Sequence, residues 1–203
     1  MAVITISSQF GTGAEKLGQM LAKELGYTFV DKDIVQMIAK ETNVSPNFVK
    51  LVESQGGSRL SKLISTLVSK SKIDAILADD RGYIDDEIYI DYLVLIIAQI
   101  ADEGNAVILG RGSQYILKGH PDAFHILLID EFDNRVKHVM KYSNISEKKA
   151  IRIVSNEDKR RDNLYSKLGK KDYDDASLYH LVLNVGRFTT ETALKQVLAL
   201  VNQ

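Results

Sequence analysis

The 203-residue sequence predicts an α/β protein built on a mostly parallel sheet. Five short β-branched runs are apolar on both faces, the pattern of strands covered by helices on each side. Helical patterns lie between them, and such alternation implies parallel pairing through right-handed crossovers. Composition agrees: 45% hydrophobic and 26% charged residues are the proportions of an ordinary globular domain. A chain of this length reads as one domain, with a core large enough to need no staples.

The strand runs are residues 3–7, 27–31, 106–110, 124–129 and 181–185. After the first, Leu17, Met20, Leu21 and Leu25 keep one helix face apolar, and Gly26 stands where a left-handed residue ends a helix. A second helix is expected over residues 33–41, and Ser45-Pro46 starts another with a cap and a fixed first φ. Leu60, Leu63, Ile64, Leu67 and Val68 make an amphipathic stripe that suits either this chain's own core or a second subunit, so the oligomeric state stays open. Residues 87–103 are apolar nearly all round and are expected to form the most buried helix. Helices are also expected at 132–142, 146–164 and 189–201. The stretch 32–104 is too long for a simple crossover and reads as a helical insertion on the substrate side, with residues 55–58 as its hinge.

Charge and composition exclude several classes. The net charge of -1 argues against a surface built for a nucleic acid polymer. Without Cys there are no disulfides, thiolate zinc sites or cysteine nucleophiles. His120, His125, His138 and His180 lack metal-ligand spacing, so no protein-held metal site is expected. The longest apolar run, residues 88–100, is interrupted by Asp91 and Gln99 and falls short of the roughly 20 residues that span a bilayer. The first ten residues have no basic n-region. A cytoplasmic protein away from membranes is expected.

Three segments carry candidate chemistry. The first strand leads into Ser8-Gln9-Phe10-Gly11-Thr12-Gly13 and then a helix. A glycine-rich turn between a parallel strand and a helix offers successive N–H groups and the helix dipole to an anion. It also serves as an ordinary glycine turn. The phosphate-loop signature G-x-x-x-x-G-K-[ST] is not met: Ser8 takes the first glycine's place, Ala14 the lysine's and Glu15 the hydroxyl's. Lys16 is the nearest cation in sequence, but two positions on is about 200° around a helix.

The second segment places Arg111 between Gly110 and Gly112 at the carboxyl end of a strand, where open α/β sheets bind ligands. Flanking glycines make room for a guanidinium to grip a phosphate. The third runs from Asp158 to Lys171, with six basic residues against two acidic ones, Arg160 and Arg161 among them. Arginines on a mobile segment would neutralise a transferring phosphoryl group; taken alone, a charge run is more often the solvated face of a helix. Asp31 and Asp33 either meet an acceptor or cap the next helix, and Asp130 and Arg135 similarly mark the end of the fourth strand, where Asp130 could hold magnesium through water.

On ITISSQFGTGAEKLGQMLAKELGYTFVDKDIV, AVILGRGSQYIL and EDKRRDNLYSKLGKKDYDDASLYHLVLNV, the chain resembles the cytidylate kinase-like family, a branch of the P-loop nucleoside monophosphate kinases. The resemblance spans nearly the whole length. It implies a three-layer α/β/α sandwich on a five-stranded parallel sheet, one domain over residues 1–203, with the insertion on the acceptor side and a lid over 155–178. It further implies ATP as phosphoryl donor, Mg2+ as its companion, and a nucleoside monophosphate, CMP or dCMP, as acceptor. Ser8, Gly11, Thr12, Gly13 and Lys16 would lie around the donor phosphates. Asp33, Arg111 and Arg135 would meet the acceptor, and Arg111, Arg160 and Arg161 would stabilise the transferring group. True cytidylate kinases have a lysine where this chain has Ala14, and members of the like-named branch have an Arg where it has Ser8. A nucleotide-binding regulator with weak or no catalysis is therefore the alternative reading.

Overall fold

A computed structural model describes residues 2–31 and 86–202 of the chain. The chain divides into two compact units: Met1–Asp31 with Gly104–Gln203, and Lys32–Glu103. The helices expected over 33–41, from 46 and over 60–68, the hinge at 55–58, and Asp33 lie outside the described residues.

The first unit carries a five-stranded, all-parallel sheet: β1 (Val3–Ser8), β2 (Thr28–Val30), β3 (Ala106–Leu109), β4 (Ala123–Ile129) and β5 (Leu181–Asn184), in the order β2-β3-β1-β4-β5. All five expected strands are present, within about a residue at each end. The helices are α1 (Ala14–Leu25), α2 (Asp86–Glu103, the described part of the second unit), α3 (Ser113–Ile116), α4 (Phe132–Ser143), α5 (Glu147–Lys167) and α6 (Thr190–Val201).

Period-2 alternation in β1 sorts its side chains. Ile4 and Ile6 join Leu17 and Leu21 of α1 and Ala193 and Val197 of α6 in the main core, with Val107, Ile126, Leu128 and Leu183 from the other strands. Thr5 and Ser7 are buried on the opposite face, where Thr5 meets His125 and Ser7 meets Tyr165. Helical structure thus covers both faces of the sheet. Helix α1 ends as expected at Gly26, left-handed at φ 66°, which leaves its N–H free to bond back to the helix.

Helices α4 and α5 form an antiparallel pair around Val136, Val139, Ala150 and Val154. Helix α5 runs three residues past the expected stop at 164. Its real terminator is Gly169 at φ 70°, with Lys170 N–H returning to the Tyr165 carbonyl at 2.8 Å. The four-residue α3 was not anticipated, being too short for any periodic signal.

Candidate functional site

The strand order turns at β1, whose neighbours β3 and β4 lead away on opposite sides, and the crevice at its carboxyl end is where open α/β sheets hold ligands. The loop leaving β1 is pinned there. Gln9 N–H donates to the Leu128 carbonyl at 3.1 Å, and Thr12 Oγ1 donates to the Gln9 carbonyl at 2.8 Å. Gly11 sits at φ 92°, and a Cβ on it would lie 2.9 Å from the Arg135 carbonyl oxygen. Only glycine lets the loop approach α4 so closely. Gly13, at φ 77°, caps α1 without a side-chain hydrogen bond. The first-turn N–H groups therefore face outward without a side-chain acceptor, a donor set suited to an anion.

Arg111 enters from β3. Gly110 N–H donates to the Ile6 carbonyl at 2.8 Å, which brings the next residue alongside the end of β1. Gly110, Arg111 and Gly112 have φ of 70°, 62° and 68°. An arginine held in the left-handed region is uncommon, and such strain gathers at functional positions.

Helix α5 is seated on the same crevice. Arg161 Nη2 donates to Ser7 Oγ at 3.1 Å and to Asp174 Oδ1 at 2.6 Å. Its guanidinium lies 5.1 Å from the ring centre of Tyr165 and 4.8 Å from that of Tyr173, two rings stacked 4.7 Å apart. Burial works against the charge on Arg161, but the Asp174 carboxylate together with Tyr165 and Tyr179 more than offsets it, raising the group above its ordinary value. Tyr165 bonds Ser7 Oγ at 3.0 Å, and Leu168 occupies the space a side chain on Gly112 would take. Burial pushes nearby Tyr179 up to about 12, with a Ser7 hydrogen bond opposing, so its hydroxyl stays protonated; it donates to the Tyr173 carbonyl.

The anticipated residues divide. Ser8, Gly11, Thr12, Gly13 and Arg161 meet around the loop, with the Arg111 backbone beside them. Arg135 is there too, buried and already engaged: Nη1 donates to the Phe10 carbonyl at 3.1 Å and to both Asp158 oxygens at 2.9 and 3.0 Å. Lys16 points elsewhere, its Nζ 3.9 Å from Glu191 on α6. Arg160 is largely exposed and pairs with Glu157 one turn back on the same helix.

Ser7, Gln9, Tyr165, Tyr173 and Asp174 were not singled out. Gln9 Oε1 accepts from Asp130 N–H at 3.1 Å while its Nε2 donates to Asp174 Oδ2 at 3.3 Å, bridging the end of β4 and the segment after α5. Only the aromatic four residues after Arg161 carried a sequence signal, as an i,i+4 pair on one helix face. Among the described residues, no group of three His, Asp or Glu is arranged to hold a metal. Magnesium accompanying a polyphosphate keeps mostly phosphate and water oxygens. Asp130, whose N–H donates to Gln9 Oε1, has its own Oδ1 taken up by the Glu131 N–H at 2.7 Å and by Asn134 Nδ2 at 3.0 Å, so it serves the start of α4.

Comparison with known proteins agrees with this architecture. A cytidylate kinase from Pyrococcus horikoshii is 25% identical over 190 residues, 93% of this chain and 82% of its own. The crystal structure of an uncharacterized protein from Eubacterium ventriosum superposes with a TM-score of 0.69 at 17% identity, covering 100% of this chain and 99% of that one. A gluconokinase from Sinorhizobium meliloti gives 0.50 at 13% identity, covering 99% and 91%. With residues 3–187 matching its pattern, the chain belongs to the cytidylate kinase-like family.

Proposed function

We propose that the protein is a phosphotransferase that binds ATP and passes its γ-phosphoryl group to a nucleoside monophosphate, with CMP or dCMP as leading acceptor. The observation that supports this most is the contact of Arg161 with Ser7, which sets a lid guanidinium at the mouth of the glycine loop. Catalysis of phosphoryl transfer is mostly positioning and charge neutralisation, so convergence of this kind is what the reaction needs.

In this reading the first-turn N–H groups of α1 hold the donor phosphates. Arg111 binds the acceptor phosphate, whose oxygen attacks the γ-phosphorus in line as the bond to the ADP oxygen breaks. Arg161 stabilises the charge spread over the transferring group. Magnesium would be held chiefly by phosphate and water oxygens and would supply further charge neutralisation, leaving the orienting of the phosphates to the loop N–H groups and the arginines. Lid closure excludes water that would otherwise take the phosphoryl group. The same reading makes small nucleotides the partners, not nucleic acid polymers, and the cytoplasm the location. Among the described residues no helix is long and apolar enough to cross a membrane.

A nucleotide-binding regulator with little turnover is the second reading. It is favoured by Ala14, which is packed into the core at the lysine's place while Lys16 faces α6. A coupled ADP-release assay with magnesium and ATP, run across the common nucleoside monophosphates, separates the two. Monophosphate-dependent turnover that Arg111→Ala abolishes supports the kinase. ATP binding in calorimetry with no turnover for any acceptor supports the regulator.

A further inference from the structure

Gln9 and Arg161 come from opposite ends of the chain yet donate to the two oxygens of one carboxylate. Gln9 Oε1 is fixed by Asp130 N–H at 3.1 Å, which turns Nε2 toward Asp174 Oδ2 at 3.3 Å. Arg161 Nη2 takes the other oxygen, Oδ1, at 2.6 Å. Both donors are held from behind: Gln9 by the Leu128 carbonyl, Arg161 by Ser7 and two tyrosine rings. The acceptor is not, for the Asp174 side chain is 38% exposed against 14% for Arg161. A fixed pair of donors, one neutral and one cationic, closing on an exposed anion is the arrangement of an anion-binding site with its occupant supplied by the chain. A phosphoryl group also presents paired oxygens to two donors, and it carries more charge than a carboxylate.

We propose that Gln9 Nε2 and Arg161 Nη2 form a phosphoryl-binding subsite, filled by the Asp174 carboxylate until a phosphorylated ligand displaces it. This rests on the nucleotide-binding reading above and adds to it a loop side chain and an internal competitor. A ligand must then outcompete Asp174, so binding is weaker than the donors alone would give.

The test is calorimetric titration of the full chain with Mg·ATP and, separately, inorganic tripolyphosphate. Asp174→Asn keeps the side-chain shape and removes the charge. It is expected to tighten binding of both probes on the order of tenfold, a gain that damaged folding cannot produce. Gln9→Glu, which sets a second carboxylate at the subsite, is expected to weaken both by a similar factor and serves alone if Asp174→Asn does not fold. Wild-type binding left unchanged or weakened by Asp174→Asn, or unchanged by Gln9→Glu, overturns the subsite and spares the nucleotide reading. No binding of either probe by wild type and variants alike overturns both. Binding by Asp174→Asn where wild type shows none supports the subsite.

Discussion

Arg135 and Asp158 tie α4 to α5, one arginine nitrogen donating to both carboxylate oxygens at 2.9 and 3.0 Å. The two ends of this pair differ in exposure, 7% for the Arg135 side chain and 36% for Asp158. Removing Asp158 strands a buried cation, whereas removing Arg135 leaves a carboxylate that water can reach. Asp158→Ala is therefore expected to cost about 2–4 kcal/mol and Arg135→Met less than half of that. Urea denaturation of both variants checks the order; a costlier Arg135→Met contradicts it.

The loop glycines differ in what surrounds them. At Gly11 an alanine is strained and meets the Arg135 backbone, while at Gly13 the nearest atom to a Cβ is His138 Cε1 at 3.8 Å. Gly13→Ala should cost about 1 kcal/mol, the left-handed penalty alone, and Gly11→Ala at least twice that. Thermal melts compared with wild type decide it.

His125 is buried in β4 against Thr5, whose Oγ1 lies 2.8 Å from Nδ1. Burial, then the neighbouring His180, lowers it from 6.5 to about 4, with a Leu117 backbone hydrogen bond opposing and His120 adding a little. Between those values the unfolded chain takes up a proton that the folded one refuses, so this contribution is present at neutral pH and lost as pH falls from 6.5 to 4. A loss of about 2–3 kcal/mol across that window is expected, and His125→Gln should flatten it. Denaturation at pH 7, 5.5 and 4.5 measures the slope; equal slopes for the two proteins refute the assignment.

The two lid arginines should separate in function. Arg161→Ala is expected to lower phosphoryl transfer by about a hundredfold or more. Arg160→Ala, which loses only an exposed pair with Glu157, should stay within a few-fold. Steady-state kcat for both variants, at saturating acceptor, tells them apart.

Lys16→Ala should leave nucleotide affinity and stability nearly unchanged, since it removes only an exposed contact with Glu191. A tenfold loss of ATP affinity in that variant would show that Lys16 swings round to the loop.

The sheet was legible because strands buried on both faces write themselves as short β-branched runs. The turns after β1 and β3 were legible because their glycines, left-handed at Gly11, Gly13, Gly110 and Gly112, mark where the backbone must change direction. Arg135, read as a helper toward substrate, turned out to be spoken for by Asp158, a partner 23 positions away that local pattern does not reveal. The bridge from Gln9 to Asp174 spans 165 positions, so it exists only once the sheet has brought the loop beside the segment that follows α5. Lys16 and Arg160 show the converse: adjacency in sequence to a site is undone by the turn of the helix.

Leu168 rests in the space that a single methyl on Gly112 would fill. The fit of the α5 end against this turn thus depends on an atom that the chain leaves out. A larger residue at 112 would be strained at φ 68° and would have to turn the Leu168 tip aside, loosening the helix end where it meets the strand turn.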